Sequence, residues 1–430
     1  MTERAVGGRV PAVGGERLVP APDAIAGDYL LLALRLDQHR PGLVAAYAGP
    51  ADLKARADIE QRRAPARLRE DAAALRERVA DEVAEPDRGA WLVAQLDALE
   101  AHAVSLAGEP LPPREHLARC LGLEPVPTPE GAFETAHSAL DGLLPRDDAA
   151  SLADRLAAWE AALAVPPERL ADLATWLVER LRAAAARRVG LPEGEAVRVA
   201  LVRGQPRFAH AWFDGGGRSA LDLDVERRVA APELLAVLAH ETYPGHHLER
   251  AWREATLVER EGWLEHTLDL ADAPAAVLSE GLAGSARRCV LAEDDDIELL
   301  AELLDRADVA AAGRSRETAE RQLRVVEARS ALRGVVANVV LMRRVDGAPA
   351  AEALAYLERW SLAPPGRCCE TLEAIERPPW SEAALAEVEG ERLVGRWLEL
   401  ALPQQRPARL GRLLREAFTP GRLRDELGAA

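Results

Sequence analysis

The sequence is poor in basic charge and has no long apolar run. Its 54 Lys and Arg residues are outnumbered by 71 Asp and Glu residues, which gives a formal net charge of −17 over 430 residues. This surplus of negative charge disfavours nucleic acids and anionic membrane surfaces as general partners. No apolar run approaches the roughly 18 residues that a membrane-spanning helix needs, so we predict no membrane span.

Cysteine is also scarce. The four cysteines are Cys120, Cys289, Cys368 and Cys369, two of which are adjacent, and no pair has Cys-x-x-Cys spacing. This pattern favours reduced thiols in a cytosolic protein over a disulfide framework. The opening MTERAVGGRVPAVGG has no apolar segment of the kind found in signal peptides, so we expect a cytoplasmic location.

Apolar residues recur at helical spacing over most of the chain. Residues 1–22 are rich in Gly, Pro and Val without periodicity and are predicted to be a flexible leader. Helical segments separated by Pro and Gly are predicted for 23–187, and again after about 230. Between them, 188–228 alternates apolar and polar residues around glycine turns, as in a hairpin. We therefore predict a mainly α fold with a small antiparallel β hairpin or meander before the segment HETYPGHHLE, residues 240–249. Residues 23–187 are predicted to form an N-terminal helical region, and residues 188–430, the β hairpin with the metal-site helices, one continuous catalytic unit.

The segment HETYPGHHLE, residues 240–249, follows an apolar helical run. In a His-Glu-x-x-His motif, one helical turn places two zinc-binding histidines on one face, beside a glutamate base. Here His240 and Glu241 are present, but Pro244 stands where the second histidine belongs. Proline removes a backbone N–H and crowds the carbonyl four residues earlier, so the helix must kink or widen.

Two histidines could complete the pair. On a straight helix His246 is rotated well away from His240, whereas His247 returns to the same face but roughly 10.5 Å along the axis. A widened, π-type turn at the Pro-Gly step would bring His246 back. We favour His246 and keep His247 as the alternative. Three of the nine histidines fall within eight residues, a concentration that a solvated helix surface does not explain well.

A third ligand should come from another helix. Glu280, in AAVLSEGLAGSARRCV, follows an apolar run, and the nearby Gly281 and Gly284 would allow two helices to approach closely. It lies 40 positions after His240, which leaves room for a turn and a returning helix. His266 is a less favoured candidate.

The motif HETYPGHHLE and the later SEG resemble the bacterial domain-of-unknown-function family 885, which carries His-Glu-x-x-Pro-Gly-His-His and a later Glu-Gly. The fold of that family is akin to the helical zinc metallocarboxypeptidases of the Taq type, and dipeptidyl peptidase III has an intermediate spacing. The resemblance implies a gluzincin-like metallopeptidase fold with Zn²⁺ held by His240, His246 and Glu280, and Glu241 as the base. Flanking segments such as DYLLLALRLDQHRPGLVAAYAGP extend the likeness, more weakly, to most of the chain.

The sequence also departs from that family. Members often have Asp and His in a helix near RGVVANVVLM, where this chain has Ala337, Asn338 and Leu341. They often have tyrosines before a C-terminal glycine, where this chain reads ALAEVEGERLV. These departures affect the expected substrate and turnover more than the metal ligands.

Further candidates concern the substrate, whose binding residues the sequence does not identify. Tyr243, Tyr356 and His210 are candidate donors to a developing oxyanion. Arg367, on a predicted loop, could bind a terminal carboxylate. The strand around Arg218–Asp224 could pair with an extended peptide.

Three functions are compatible with these residues. The first is a zinc-dependent hydrolase, a carboxypeptidase-like metallopeptidase that cleaves a peptide or small amide through a Glu-activated, zinc-bound water. The second is a zinc enzyme with other small-molecule chemistry. The third is a non-catalytic helical binding protein with a vestigial metal site; the retained Glu241 beside His240 argues against it.

Overall fold

The computed structural model describes residues 23–109, 111–205, 207–377 and 380–429, so the leader predicted at 1–22 lies outside the described residues. The fold is mainly α, as predicted, and the described residues form twenty α-helices and five short β-strands. The helices are α1 Ala24–Asp37, α2 Ala51–Ile59, α3 Pro65–Glu82, α4 Pro86–Leu106, α5 Pro113–Leu121, α6 Glu130–Leu143, α7 Leu152–Ala162, α8 Leu170–Arg188, α9 Ala231–Glu241, α10 His246–Arg253, α11 Pro274–Ser285, α12 Arg287–Val290, α13 Glu293–Ala307, α14 Ser315–Ser330, α15 Arg333–Arg344, α16 Ala350–Trp360, α17 Pro365–Ile375, α18 Trp380–Glu399, α19 Arg406–Arg415 and α20 Pro420–Gly428. The strands are β1 Val44–Tyr47, β2 Ala196–Val202, β3 Ala209–Gly215, β4 Arg218–Asp224 and β5 Leu268–Leu270.

Prolines open many of these helices. A proline occupies one of the first two positions in α3, α4, α5, α9, α11, α17, α19 and α20. The first turn of a helix leaves its N–H groups without intrahelical partners, so proline costs little there and presets the backbone angle. The residue before a proline is driven out of the helical region, which separates consecutive helices. This is why most of the breaks could be read from the sequence.

A three-stranded sheet lies directly before α9, where the sequence predicted β structure. β3 and β4 form the predicted antiparallel hairpin, with His210 opposite Asp222 and Trp212 opposite Ala220. β2 joins the other side of β4 in parallel, so the strand order is β2-β4-β3. The parallel pairing was not predicted, because apolar alternation identifies a strand without giving its direction.

The turn between β3 and β4 is tied to the chain beyond α10. Gly215, Gly216 and Gly217 have φ values of 77°, 66° and 66°, a left-handed conformation that glycine adopts without strain. The N–H groups of Gly216 and Gly217 donate to the Glu254 carboxylate at 2.9 and 2.6 Å. The hairpin is therefore fixed against the element that follows the metal-site motif.

Two hydrophobic cores organise the described residues. The larger core runs from α5 to α20 and includes the apolar face of α9. The smaller core joins α1, α3 and α4 to residues 257–273. Within it, β1 pairs antiparallel with β5, a second sheet that the sequence analysis did not predict. The chain after the motif thus returns to pack against the N-terminal helices, and the change of core falls between residues 103 and 117.

None of the described helices has the length and apolar character needed to cross a bilayer. The four cysteines are unpaired, and Cys369 is the exposed one.

Candidate metal centre

The helix carrying the first histidine is interrupted within the motif. α9 ends at Glu241, α10 begins at His246, and the intervening residues include a cis peptide before Pro244. The N–H of Gly245 returns to the carbonyl of Ala239 at 3.1 Å, a span of six residues. The sequence predicted that the helix kinks or widens at the Pro-Gly step and brings His246 back beside His240. The turn is widened, as predicted, and the helix is also interrupted there. Proline cannot donate into the helical ladder, so the chain leaves the helix and starts a new one.

Gly245 is required by this geometry. A Cβ built on Gly245 would overlap with the carbonyl oxygen of His240 and lie 2.7 Å from that of Ala239. No side chain fits between the end of α9 and the start of α10. The close approach is what brings His246 back beside His240.

The structure brings His240, His246 and Glu280 together, with ligand-type atoms all within 4.8 Å of one another. The two Nε2 atoms are 3.1 Å apart. Glu280 approaches His240 Nε2 at 3.3 Å and His246 Nε2 at 3.6 Å through its two oxygens. A tetrahedral ion with bonds of about 2.0–2.2 Å would separate its ligands by about 3.3–3.6 Å. The spacing of the donors therefore fits zinc.

The charges of the cluster also favour a cation. Burial alone would lower the pKa of His246, but the carboxylates of Glu280 and Glu249 raise it to about 10. Burial would likewise raise the pKa of Glu280, yet His246 and His240 hold it well below its ordinary value. A point that attracts a proton this strongly also attracts a metal ion, and two imidazoles with one carboxylate form a donor set that catalytic zinc uses.

The ring of His246 is oriented by a second carboxylate. Ser279 Oγ donates to Glu249 Oε2 at 2.5 Å and lies 3.1 Å from His246 Nδ1. Because the serine hydrogen is given to Glu249, the serine oxygen accepts from Nδ1–H. The Nε2 lone pair then faces His240 and Glu280, as metal ligation requires.

His247 is not a ligand in this geometry. Its Nε2 donates to Glu195 at 3.0 Å and its Nδ1 lies 2.8 Å from Ser219 Oγ, so both ring nitrogens are used. Tyr243 donates its hydroxyl to the same Glu195, which removes it as an oxyanion donor. Glu195, which also pairs with Arg182, was not identified from the sequence.

Glu241 is held beside the cluster by the sheet. Its Oε2 accepts the backbone N–H of Ala211 at 2.8 Å and lies 3.9 Å from His210 Nδ1. Burial raises its pKa, but the imidazoles of His246 and His240 outweigh burial, so the pKa falls below its ordinary value. Burial lowers the pKa of His210 to about 4, so His210 is neutral at pH 7 and can donate an N–H. Of the three predicted oxyanion donors, His210 is the one whose contacts place it at the cluster.

A continuous path of polar contacts joins His246 to Glu241. Arg253 approaches Glu249 at 3.7 Å and pairs with Asp269, which also accepts from Arg250 at 2.9 Å. Arg250 in turn donates to the Ala211 carbonyl at 3.2 Å. The path runs through Ser279, Glu249, Arg253, Asp269, Arg250 and Ala211. The path therefore links the orientation of His246, a candidate metal ligand, to that of Glu241, the candidate base.

Glu280 owes its position to a close helix crossing. A Cβ on Gly281 would overlap with the Gly390 carbonyl, and a Cβ on Gly390 would overlap with that of Val277. α11 and α18 therefore touch through their backbones, as the glycines near Glu280 suggested. This contact brings Glu387, one turn before Gly390, to the cluster, where the charges of Glu280 and His240 act on it.

Other predicted site residues lie elsewhere. Tyr356 accepts from Asn338 at 3.0 Å and packs against Phe133 in the core. Arg367 is in α17 rather than a loop, and it is exposed and paired with Glu370. His266 is buried against Trp91, outside the cluster.

The proposed strand addition at 218–224 is ruled out by the sheet order. β4 is the central strand and has β2 and β3 as neighbours, so it has no free edge. The outer edge of β3 is the one that meets the cluster, since Ala211 contacts Glu241 and Arg250 there.

A second group of ligand-type residues lies elsewhere. His102, His116 and Cys120 also come within 4.8 Å of one another. However, His102 Nε2 donates to the carbonyl of Asp272 at 2.9 Å, and its Nδ1 accepts from Arg40 at 2.8 Å. Burial raises the pKa of Cys120 well above its ordinary value and keeps the thiol neutral. These residues do not fit a metal.

Comparisons with known proteins add little to this geometry. No family model matches the chain, and no curated protein matches it. A solved structure described as a "putative lipoprotein" from Colwellia psychrerythraea aligns with 84% of this chain and 66% of that chain, at 13% identity and a TM-score of 0.46.

Proposed function

We propose that the protein is a zinc-dependent hydrolase, and specifically a metallopeptidase that cleaves a peptide or small amide bond. The observation that carries the proposal is the convergence of His240, His246 and Glu280, with Glu241 held beside them. Two imidazoles and one carboxylate leave a fourth tetrahedral position open, as a catalytic rather than a structural zinc site does. The resemblance to family 885 agrees with this assignment.

Each residue has a separate role in the proposed hydrolysis. His240, His246 and Glu280 would hold the ion. A bound zinc would polarise the substrate carbonyl and lower the pKa of a water toward 7. Glu241 is ionised at neutral pH; it accepts a proton from the attacking water and delivers it to the leaving amine. His210, neutral and half-buried, is the candidate donor to the developing oxyanion.

We also place the protein in the cytoplasm, because its four cysteines are unpaired and one of them is exposed. Fractionation of the native host would test this location.

Two measurements test the function. Elemental analysis of purified protein should find about one zinc per chain, and a peptide-library digest read by mass spectrometry should reveal cleavage that a chelator abolishes. The variant Glu241→Gln should keep zinc and lose turnover, because an amide cannot accept the proton. Hydrolysis at the native rate by Glu241→Gln would remove Glu241 as the base. Full zinc with no cleaved peptide would favour the alternative of other small-molecule chemistry.

A further inference from the structure

Glu387 has no role in the proposed chemistry, although it lies at the metal cluster. It is on α18, three residues before Gly390 and therefore on the same face. Gly390 is in backbone contact with Gly281, the residue after Glu280. The glycine crossing thus fixes the distance between the Glu387 and Glu280 backbones, since neither helix can move closer or rotate without overlap.

The side chain of Glu387 is exposed to solvent. The side chains of His240 and Glu280 are also partly accessible, at 30% and 28% exposure. A substrate can therefore approach Glu387 and these two ligands from solvent.

Glu387 does not stabilise the fold through polar contacts with the described residues. Among the described residues it makes no hydrogen bond and no ion pair, unlike its neighbours Glu389 and Glu391 on the same helix. The charges that act on it come from Glu280, His240, Arg207 and Arg333. Arg333 is already paired with Glu391, and Arg207 also acts on His210.

A carboxylate beside the metal ligands that has no hydrogen-bond or ion-pair partner among the described residues is suited to a charged hydrogen bond with a cation on the substrate.

We propose that Glu387 binds a protonated amine of the substrate beside the scissile bond, so that the enzyme prefers peptides with a free amino group there. This inference rests on the proposed peptidase function and deepens it. It also departs from the carboxypeptidase resemblance, which would place recognition at the carboxyl end. The amine could be the terminal α-amino group or a lysine side chain.

Calorimetry on the zinc-loaded Glu241→Gln chain tests the inference without turnover. The probes are tetra-alanine, N-acetyl-tetra-alanine, tetra-alanine amide and N-acetyl-Ala-Lys-Ala-Ala. We expect acetylation to weaken binding about tenfold, the scale of one charge-assisted hydrogen bond, and amidation to have little effect. Recovery of affinity by the lysine peptide would identify a side-chain amine, and no recovery would identify the α-amino group.

Adding Glu387→Gln should remove the preference for the free amine while the zinc content stays at one per chain. Glu399→Gln is the matched control, since Glu399 is exposed at the far end of α18 and should leave the preference intact. Equal binding of free and acetylated peptides overturns the inference alone, as does loss of zinc in Glu387→Gln, which would make Glu387 a ligand. A greater effect of amidation would assign recognition to a cation such as Arg207 and also overturn it. No binding by any peptide would overturn the inference together with the peptidase proposal.

Discussion

Among the described residues, two groups of histidines each bring their ligand-type atoms within 4.8 Å of one another, but the two groups differ in chemistry. His240, His246 and Glu280 form one, and His102, His116 and Cys120 form the other. In the first group the Nδ1 of His246 is occupied by Ser279, which turns its Nε2 toward His240 and Glu280. In the second group both nitrogens of His102 are occupied, one of them by the guanidinium of Arg40.

The comparison teaches that lone pairs and charge identify a metal site, whereas the density of ligand-type residues does not. A ligating histidine needs one nitrogen fixed by a hydrogen bond and the other unprotonated and free. A carboxylate completes the first group, whereas in the second group a guanidinium donates to the histidine nitrogen that a metal would need. This difference can be tested at the helix break, at the ligands, at the supporting carboxylate and at the buried imidazole.

The largest effect is expected for Gly245→Ala. The new Cβ would overlap with the carbonyl of His240, so the break between α9 and α10 cannot form as it stands. We expect loss of bound zinc and a fall in the free energy of unfolding of at least about 3 kcal/mol, the upper end for overpacking. Urea unfolding and elemental analysis would measure both. Gly142→Ala, in α6 with open space around it, is the control and should change neither. A stable, zinc-loaded Gly245→Ala protein would disprove the proposed role of the break.

Replacing one histidine in each group by alanine should show which of the two groups binds zinc. His246→Ala removes a donor of the first group and should reduce zinc from about one per chain to near zero after dialysis. His116→Ala removes the corresponding histidine of the second group and should leave zinc unchanged. The two variants are read by the same elemental analysis. Zinc lost in His116→Ala but retained in His246→Ala would reverse the assignment of the metal site.

The sequence revealed the ligands better than their support. The motif and the glycines near Glu280 predicted the candidate donors but left His246 and His247 as alternatives, and the resemblance to family 885 favoured His246. The structure brings His240, His246 and Glu280 together. The sequence predicted a kinked or widened helix at this step but not the full interruption between α9 and α10, because proline and glycine together signal a distortion without specifying its geometry.

The supporting residues could not be predicted for another reason. Glu195 and Ala211 reach the motif only through the sheet, and Ala211 acts through its backbone, which carries no residue-specific signal. Glu387 lies more than a hundred residues from Glu280 in sequence and is placed by one glycine crossing. Contacts of this kind depend on topology, and the sequence pattern fixed strand and helix positions without fixing which of them touch.

A smaller effect is expected for Glu249→Gln. Glu249 accepts from Ser279 and thereby keeps the Nδ1–H of His246 pointed away from the cluster. Replacing the charged acceptor by an amide should weaken zinc binding roughly 10- to 100-fold, the range for residues that orient a metal ligand. Competition with a chromogenic chelator would measure it, with Glu370→Gln as an exposed control. Unchanged affinity would show that Ser279 alone orients the ring.

The smallest effect concerns the buried imidazole of the second group. Burial, aided by the charge of Arg40, lowers the pKa of His102 to about 3, from an ordinary value of 6.5. Between pH 6.5 and pH 3, His102 therefore binds a proton in the unfolded chain but not in the folded chain, so the free energy of unfolding falls as the pH is lowered through this range.

In the variant His102→Gln, the glutamine side chain could accept from Arg40 and donate to the Asp272 carbonyl without titrating. We expect the loss of melting temperature between pH 7 and pH 4.5 to be a few degrees smaller in His102→Gln than in the wild type, as followed by circular dichroism. His39→Gln, at the surface, should retain the wild-type loss. An identical loss in His102→Gln would mean that His102 takes up its proton in the folded state as readily as in the unfolded chain, and the hydrogen bonds assigned to its two nitrogens would then be wrong.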